Sequence, residues 1–325
     1  MRIMPNLVQA FVSTSLLSSL CWGFENPAQQ VVGIQIKSQR PIYLIAHRVL
    51  HTTAIPIALR DGANAFEMDV APYGGKLYAY HDDIGPGGKP GHTVEEMLDT
   101  FAQHANETNF VWFDIKKPNT WASKGTSIEK LQRMVQEKLE PVGIRALYGF
   151  SMKDTGLEEF DKLAKSLSGN EAISIGGRNG PVGRTFDSVS SDKLSVKQKV
   201  MDYGISFLNL PYAMDCDWPR DKEDVIYPTG VCYELYQGAK LLRDRQPRKP
   251  KVGMTFGWTI RANDEGTNRV DKLLGFAKAD GLIYGEATHD YRDSPDIRVA
   301  IGLIQSWLDQ HSETHRRATK SDVPW

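Results

Sequence analysis

Cysteine is scarce in this chain, with three in 325 residues, too few for a disulfide-rich scaffold. An excess of charge of one sign is also lacking, because 39 Lys and Arg are balanced by 40 Asp and Glu, for a formal net charge of -1. Without surplus positive charge, the chain is a poor match for a phosphate backbone, which argues against nucleic acid as a partner. No apolar run after the amino-terminal segment is long enough for a transmembrane anchor.

The amino-terminal segment, residues 1–23, is predicted to be a secretory signal peptide. Arg2 precedes an apolar and hydroxyl-rich run from Leu7 to Leu20, and small residues follow near Gly23, which is the pattern of a signal and its cleavage site. The run is too short to span a bilayer. We therefore expect a secreted, extracellular protein whose mature part is a single domain, residues 24–325.

Removal of the signal would take away Cys21 and leave Cys216 and Cys232. An oxidising compartment favours pairing of two remaining cysteines. We therefore expect a disulfide between them. Two separate buried thiols are the alternative.

From about Pro41 onward, apolar β-rich runs alternate with amphipathic helical runs, as a parallel sheet with crossover helices requires. The predicted strands are Ile42–His47, Ala65–Val70, Phe110–Lys116, Ala146–Ser151, Ala172–Ile175, Ile205–Leu210, Lys251–Thr259 and Leu282–Gly285. The clearest predicted helices are Val94–His104, Ile128–Leu139, Leu157–Leu167, Tyr233–Arg245, Val270–Lys278 and Ile297–Gln310. Eight such units predict an α/β fold, a (β/α)₈ TIM barrel. A doubly wound open sheet is the main alternative, but no Gly-rich nucleotide fingerprint follows the first strand.

Polar residues end the first three predicted strands, where a barrel places its active site. The first strand ends at His47, the second carries Glu67 and Asp69, and the third carries Asp114 and Lys116. Residues two apart on a strand share a face, so three carboxylates are expected to converge. A cation is the simplest way to keep all three charged, and an all-oxygen ligand set favours Mg²⁺ or Ca²⁺ over zinc. A solvated loop or a salt bridge to Lys116 is the alternative.

A second histidine, His81, follows the extended segment Tyr78–Tyr80. Cleavage of a phosphodiester needs one group to take a proton and another to give one. His47 and His81 suit these roles beside a bound cation, whereas a lone histidine is more often structural. His51 and His92 fit no such pattern and are interpreted as surface residues.

These residues, with the flanking sequences Gly62–Val70 and Phe113–Lys116 and the pair Trp258-Thr259, resemble the sphingomyelinase D family. This family contains the phospholipase D-type toxins of spider venoms and their fungal relatives. The terminal segment Ala318–Trp325 is similar to the tail motif that separates the family from the related glycerophosphodiester phosphodiesterases. In the family this tail plugs the far end of the barrel.

The resemblance implies that one Mg²⁺ ion supports cleavage of choline from sphingomyelin and lysophospholipids, with the substrate's own hydroxyl attacking phosphorus and leaving a cyclic phosphate lipid. It implies a monomer that meets its phospholipid at a membrane surface. The implied residues are Glu67, Asp69 and Asp114 as metal ligands, His47 and His81 as the acid–base pair, and Lys116 and Trp258 at the substrate. An indole face can also hold a choline ammonium, and barrel packing is the alternative for Trp258.

Three positions depart from the spider enzymes. Asp82 stands where they have glycine, Arg261 where they have an acid, and Gly285 where they usually have Asn. The metal and histidine set is intact, so the departures bear on the preferred headgroup.

Three other functions are weighed against this one. A glycerophosphodiester phosphodiesterase would attack with water, but the His-Arg-Gly signature of that family is missing, since Val49 follows His47-Arg48. A glycosidase is disfavoured because Glu67 and Asp69 on one strand cannot flank a sugar from opposite faces. A catalytically silent lipid-binding barrel would require the loss of a ligand or histidine, and none is lost.

Overall fold

Ten strands form one sheet in the part of the chain that the computed structural model describes, which is residues 38–81, 90–121, 126–189, 194–204, 216, 230–244 and 249–325. They are β1 (Arg40–Ala46), β2 (Ala65–Tyr73), β3 (Lys76–Ala79), β4 (Phe110–Ile115), β5 (Arg145–Ser151), β6 (Glu171–Gly176), β7 (Lys199–Gly204), β8 (Met254–Ile260), β9 (Gly281–Tyr284) and β10 (His315–Arg317). Residues 38–325 belong to one compact unit. The predicted signal peptide lies outside the described residues, within which no helix is long and apolar enough to cross a membrane.

Eight of these strands close into a barrel. The order β1-β2-β4-β5-β6-β7-β8-β9 is parallel throughout, and β9 pairs with β1 through Leu44↔Leu282 while β1 pairs with β2 through Ile45↔Ala65. The predicted (β/α)₈ barrel is confirmed. Of the other two strands, β3 forms an antiparallel hairpin with β2, and β10 runs beside the start of β1.

Helices cover the outside of the barrel, because their buried residues recur three and four apart and face the strands. They are α1 (Ala54–Asp61), α2 (Val94–Gln103), α3 (Ile128–Lys138), α4 (Glu158–Ser166), α5 (Asn179–Ser188), α6 (Val231–Gln237) and α7 (Pro295–Gln310). A π-helical segment, Gly238–Arg243, continues α6, and another, Asp271–Phe276, lies between β8 and β9. Capping is clear at α2, where the side chains and backbones of Thr93 and Glu96 hydrogen-bond reciprocally.

The predicted position of the sixth barrel strand is wrong. That strand is β7, Lys199–Gly204, and the predicted segment Ile205–Leu210 lies outside the described residues. Two polar residues made β7 hard to recognise as a buried strand. Lys199 donates a hydrogen bond from Nζ to the Phe186 carbonyl at 3.1 Å, and Asp202 points into the barrel mouth.

The tail confirms the predicted plug. Ala318 and Trp325 belong to the apolar cluster inside the barrel, and the Trp325 ring lies 5.1 Å from that of Phe110. Polar contacts fix its position, since Trp325 Nε1 donates to the Asn170 carbonyl at 3.1 Å and Arg145 donates to the Trp325 backbone oxygen at 2.6 Å. These residues stand at the amino ends of the strands, so the plug closes the end opposite the predicted active site.

Trp325→Ala is expected to lower the free energy of unfolding by about 3–5 kcal/mol, because a buried aromatic ring is lost and a cavity remains. Denaturant unfolding measures this. Val323→Ala is the matched control, since Val323 lies in the same tail but is 64% exposed. Equal effects of the two substitutions would contradict the role of the plug.

The predicted disulfide is confirmed. Cys216 and Cys232 are bonded with their Cα atoms 4.6 Å apart, and Cys232 lies in the first turn of α6. The bond ties the segment that follows β7 to a helix of the outer layer.

Replacing both cysteines by alanine is expected to cost about 2–4 kcal/mol of unfolding free energy, because the bond restricts the unfolded chain. Denaturant unfolding of the parent and of the double variant gives the difference. Intact mass before and after alkylation verifies that the parent has no free thiol at these two positions. If the two proteins unfolded at the same denaturant concentration, the bond would not stabilise the fold.

Candidate active site

Three carboxylates meet at the carboxyl ends of β2 and β4. Glu67 and Asp69 are both on β2, and register places Asp69 directly beside Asp114 of β4. One oxygen from each carboxylate lies within 4.8 Å of the others. Glu67 and Asp69 are buried and Asp114 is partly open to the mouth. Strand alternation therefore brings the predicted ligands together.

The electrostatics of this cluster fit a cation. Burial, followed by the charges of Asp69 and Asp114, raises the pKa of Glu67 well above its usual range. Oδ2 of Asp69 is buried and accepts no hydrogen bond from the described residues. A divalent cation would offset the repulsion among the three carboxylates, and it would be coordinated by carboxylate oxygens such as Asp69 Oδ2. The cluster can therefore hold a metal ion.

Lys116 stands beside the cluster. Its Nζ lies 2.5 Å from Asp114 Oδ2 and 2.8 Å from Asp69 Oδ1. Burial opposes its charge, but the neighbouring carboxylates prevail and raise the pKa of Lys116 well above its usual range. The residue is therefore a fixed positive charge at the mouth.

His47 follows β1 directly. Its backbone N–H donates to the Tyr284 carbonyl at 3.1 Å, and its Nδ1 lies 2.8 Å from the Glu286 carbonyl oxygen. A carbonyl oxygen can only accept, so Nδ1 carries the proton and Nε2 is left with a free lone pair. Burial lowers the pKa of His47 to about 4. The neutral ring therefore presents a proton acceptor.

His81 enters the mouth from the hairpin of β2 and β3. The hairpin is continued by Tyr80, whose N–H donates to the Asp69 carbonyl at 2.9 Å. Burial raises the pKa of Asp69, but Lys116 and, when it is protonated, His81 outweigh burial and lower it. His81 is thus close enough to act on the carboxylate cluster. Two further histidines near this rim, His51 and His92, are half-buried and pack against each other with ring centroids 5.5 Å apart.

Trp258 is held at the mouth by a residue that the sequence did not indicate. Its Nε1 donates to Asp202 Oδ1 at 2.9 Å, and Ser174 donates to Asp202 Oδ2 at 2.5 Å. Gly204 leaves room for the indole, since a Cβ there would come within 2.4 Å of the Trp258 ring. Asp202 was missed because the sixth strand was placed too late, so this carboxylate was not counted as a strand-end residue.

Arg48 is a second residue of the site that the sequence did not indicate. It has a left-handed φ of 50°, which turns its backbone N–H toward Glu67 Oε2 at 2.6 Å. Its Nε lies 3.7 Å from Asp69 Oδ2 and 3.8 Å from Asp290 Oδ1. Arg48 thus orients one carboxylate and balances the charge of another. Its place directly after a strand-end histidine was the available signal.

Asp202→Asn is expected to flatten the dependence of stability on pH. Burial raises the folded-state pKa of Asp202 to about 6, above an unfolded value of about 3.9. A raised folded pKa contributes stability that is fully present below about pH 4 and is lost as pH rises through about 6. Asn has no such proton, so the unfolding free energy of the variant should fall less between pH 4 and pH 7. Parallel curves for parent and variant in denaturant unfolding would contradict the shift.

Comparison with known proteins agrees with this geometry. Residues 37–325 match the family Sphingomyelinase D/Phospholipase D. The chain is 35% identical to a sphingomyelinase D of Uncinocarpus reesii, with 98% of this chain and 90% of that protein covered. It is 37% identical to a sphingomyelinase D of Aspergillus flavus, with 89% and 92% covered. The chain is an enzyme of the sphingomyelinase D/phospholipase D family.

Proposed function

We propose that this enzyme uses Mg²⁺ to release choline from sphingomyelin and lysophospholipids, and that the first lipid product is a cyclic phosphate. The observation that supports this most strongly is the convergence of Glu67, Asp69 and Asp114 within 4.8 Å at the barrel mouth that His47 and His81 also face. Such a site offers a cation and two proton carriers to one phosphodiester.

Glu67, Asp69 and Asp114 would hold the ion. Mg²⁺ prefers oxygen ligands and is commonly bound through a few carboxylates together with substrate phosphate. When bound it would withdraw charge from the phosphoryl oxygens as a Lewis acid. Lys116, already in contact with two of these carboxylates, would bind a further phosphate oxygen and hold the substrate in register.

His47 is the better candidate for the base. The Glu286 carbonyl fixes its Nδ1 as the donor, so Nε2 can take the proton of an attacking hydroxyl. His81 would then give a proton to the departing choline oxygen. Two separated proton carriers allow the bond to phosphorus to form on one side while the bond to choline breaks on the other.

Trp258 would bind the headgroup. The hydrogen bond from its Nε1 to Asp202 fixes the plane of the indole, and an indole face attracts a quaternary ammonium. The same hydrogen bond places the buried carboxylate of Asp202 at the edge of the ring, where its negative charge would add to the attraction. We propose Trp258 as a substrate-binding residue and Asp202 as its positioning residue.

The substrate supplies the nucleophile. Sphingomyelin and lysophosphatidylcholine each carry a free hydroxyl a few atoms from phosphorus, and such a group has an effective concentration that water does not match. Attack by this hydroxyl forms the new phosphorus–oxygen bond and closes the ring, while the bond to choline oxygen breaks and the alcohol leaves with a proton. Diacyl phosphatidylcholine lacks this hydroxyl and is expected to react very slowly.

The disulfide between Cys216 and Cys232 supports the proposal that the protein is secreted, since such bonds persist in oxidising compartments. We propose that it acts outside the cell as a monomer on phospholipids at a membrane surface.

Choline release from sphingomyelin, lysophosphatidylcholine and diacyl phosphatidylcholine, each with Mg²⁺ and with a chelator, tests the proposal. We expect release from the first two lipids only, and its loss with chelator. Equal release from diacyl lipid would favour the water-attacking phosphodiesterase, and no release from any lipid would favour a lipid-binding barrel.

A further inference from the structure

The turn between α2 and β4 contains an acceptor sequence for N-linked glycosylation. Asn106-Glu107-Thr108 has the form Asn-X-Thr, in which the middle residue is not proline. No other Asn-X-Ser or Asn-X-Thr tripeptide occurs in the sequence. A glycan of this kind would therefore have one attachment site on the chain, and its presence or absence reports on Asn106 alone.

Asn106 and Glu107 form the exposed tip of this turn, whereas Thr108 is buried. Two hydrogen bonds to the carbonyl oxygen of His104 fix the turn, one from the Glu107 N–H at 3.1 Å and one from the Thr108 hydroxyl at 3.0 Å. A polar surface turn of this kind is where a bulky, hydrated glycan is tolerated. The folded protein can therefore carry a substituent on Asn106 without any change in its core.

The turn stands at the amino ends of the barrel strands, because it leads directly into β4, which begins at Phe110. Asn106 lines a surface cleft together with tail residues 317–320, and Lys320 Nζ donates a hydrogen bond to the Thr108 carbonyl at 2.8 Å. The carboxylate cluster lies at the carboxyl ends of the strands. A glycan on Asn106 would therefore cover the face that carries the tail plug and leave the mouth free.

Resting on the proposal that the protein is secreted, we propose that Asn106 carries an N-linked oligosaccharide. The donor is an oligosaccharide joined to a lipid diphosphate, which the secretory pathway supplies together with its transferase. The side-chain nitrogen of Asn106 forms a bond to the anomeric carbon of the sugar and gives up one proton. The bond from that carbon to the diphosphate oxygen breaks, and the lipid diphosphate leaves. The Thr108 hydroxyl completes the acceptor sequence, and because it is buried after folding, transfer precedes formation of the turn.

A glycan at this place would make the two ends of the barrel different toward solvent. Because it is bulky and hydrated, it would keep the face with the tail plug in water and prevent that face from packing against another protein. The mouth lies at the other end of the barrel. We therefore expect removal of the glycan from the folded enzyme to leave the rate of lipid cleavage unchanged.

Peptide mapping of the secreted enzyme tests the proposal. Residues 24–325 are produced in a secreting yeast behind a host signal sequence, so that entry into the pathway does not depend on residues 1–23. Peptide N-glycosidase F in ¹⁸O-labelled water releases the glycan and leaves an ¹⁸O-labelled aspartate where it was attached. We expect the intact protein to lose mass on this treatment and the label to lie at position 106.

Three variants test whether the acceptor sequence is responsible. Asn106→Gln keeps a polar amide but is not an acceptor, and Thr108→Ala removes the hydroxyl that the sequence requires, so both are expected to lose the glycan completely. Thr108→Ser keeps the hydroxyl and is the matched control, which is expected to retain the glycan.

The outcomes separate this proposal from the proposed function. A secreted parent protein with an unmodified Asn106 overturns it, and so does a glycan that persists in Asn106→Gln or in Thr108→Ala. A labelled position 106 supports it even if the enzyme cleaves no lipid. Glycosylation behind the host signal but not behind the chain's own residues 1–23 would contradict the proposed secretion and, with it, this proposal. A change in turnover when the glycan is removed from the folded enzyme would contradict its place away from the mouth.

Discussion

Replacing Glu67 by Gln is expected to abolish turnover and to weaken binding of Mg²⁺. The substitution keeps the shape of the side chain but removes one of the three charges that would face the ion. A metal ion contributes several kcal/mol to transition-state stabilisation, so turnover should fall by roughly 10³-fold or more. Metal affinity should fall by at least about 100-fold, because mutation of even the residues that hydrogen-bond to metal ligands lowers metal affinity by about 10–100-fold. Asp69→Asn and Asp114→Asn should behave alike.

Glu171→Gln is the control for loss of a buried glutamate. Glu171 is fully buried but accepts hydrogen bonds from Gln132 and Tyr148 at the start of β6, away from the carboxylate cluster. This variant should lose stability and keep its metal affinity. Calorimetric titration with Mg²⁺ compares the two glutamate variants directly. Parent-like affinity in Glu67→Gln would contradict the assignment of the site.

His47→Asn and His81→Asn are each expected to lower turnover by about 10²–10⁴-fold, the range that general acid–base groups supply. Neither residue is a proposed metal ligand, so Mg²⁺ affinity should change little. This separates the histidine variants from the carboxylate variants. Steady-state rates with saturating Mg²⁺, together with the titration above, provide both readouts.

His92→Asn is the matched histidine control. His92 is half-buried at the same rim and packs against His51, but it has no part in the proposed chemistry. Its turnover should stay within a few-fold of the parent. A His47 or His81 variant that was as active as His92→Asn would remove that residue from the mechanism.

Hydrophobic alternation was sufficient to predict the barrel and the convergence of its strand-end carboxylates. The side-chain period of a strand places Glu67 beside Asp69 on one face, and barrel closure brings Asp114 to the same rim whatever the loops do. The disulfide followed from counting the cysteines of a chain that was expected to be exported. These features could be predicted because they depend only on side-chain alternation along a strand, on closure of the barrel and on the number of cysteines.

Features that depend on register or on tertiary contacts were not predicted. Lys199 and Asp202 give β7 a polar pattern that only the surrounding structure explains, and the hydrogen bond from Trp258 to Asp202 joins residues 56 positions apart. Arg48 likewise acquires its role from a left-handed backbone that orients its N–H toward Glu67.

The central claim is that the substrate's own hydroxyl attacks phosphorus in a metal-dependent site. Phosphorus NMR of sphingomyelin during incubation with the enzyme and Mg²⁺ tests this claim most directly. We expect a cyclic phosphate resonance to appear first as sphingomyelin disappears, and we expect neither change with a chelator. The reaction is run in ¹⁸O-labelled water so that an attacking water would mark its product. An open monoester that forms first and carries the label, or cleavage that continues in chelator, would contradict the account.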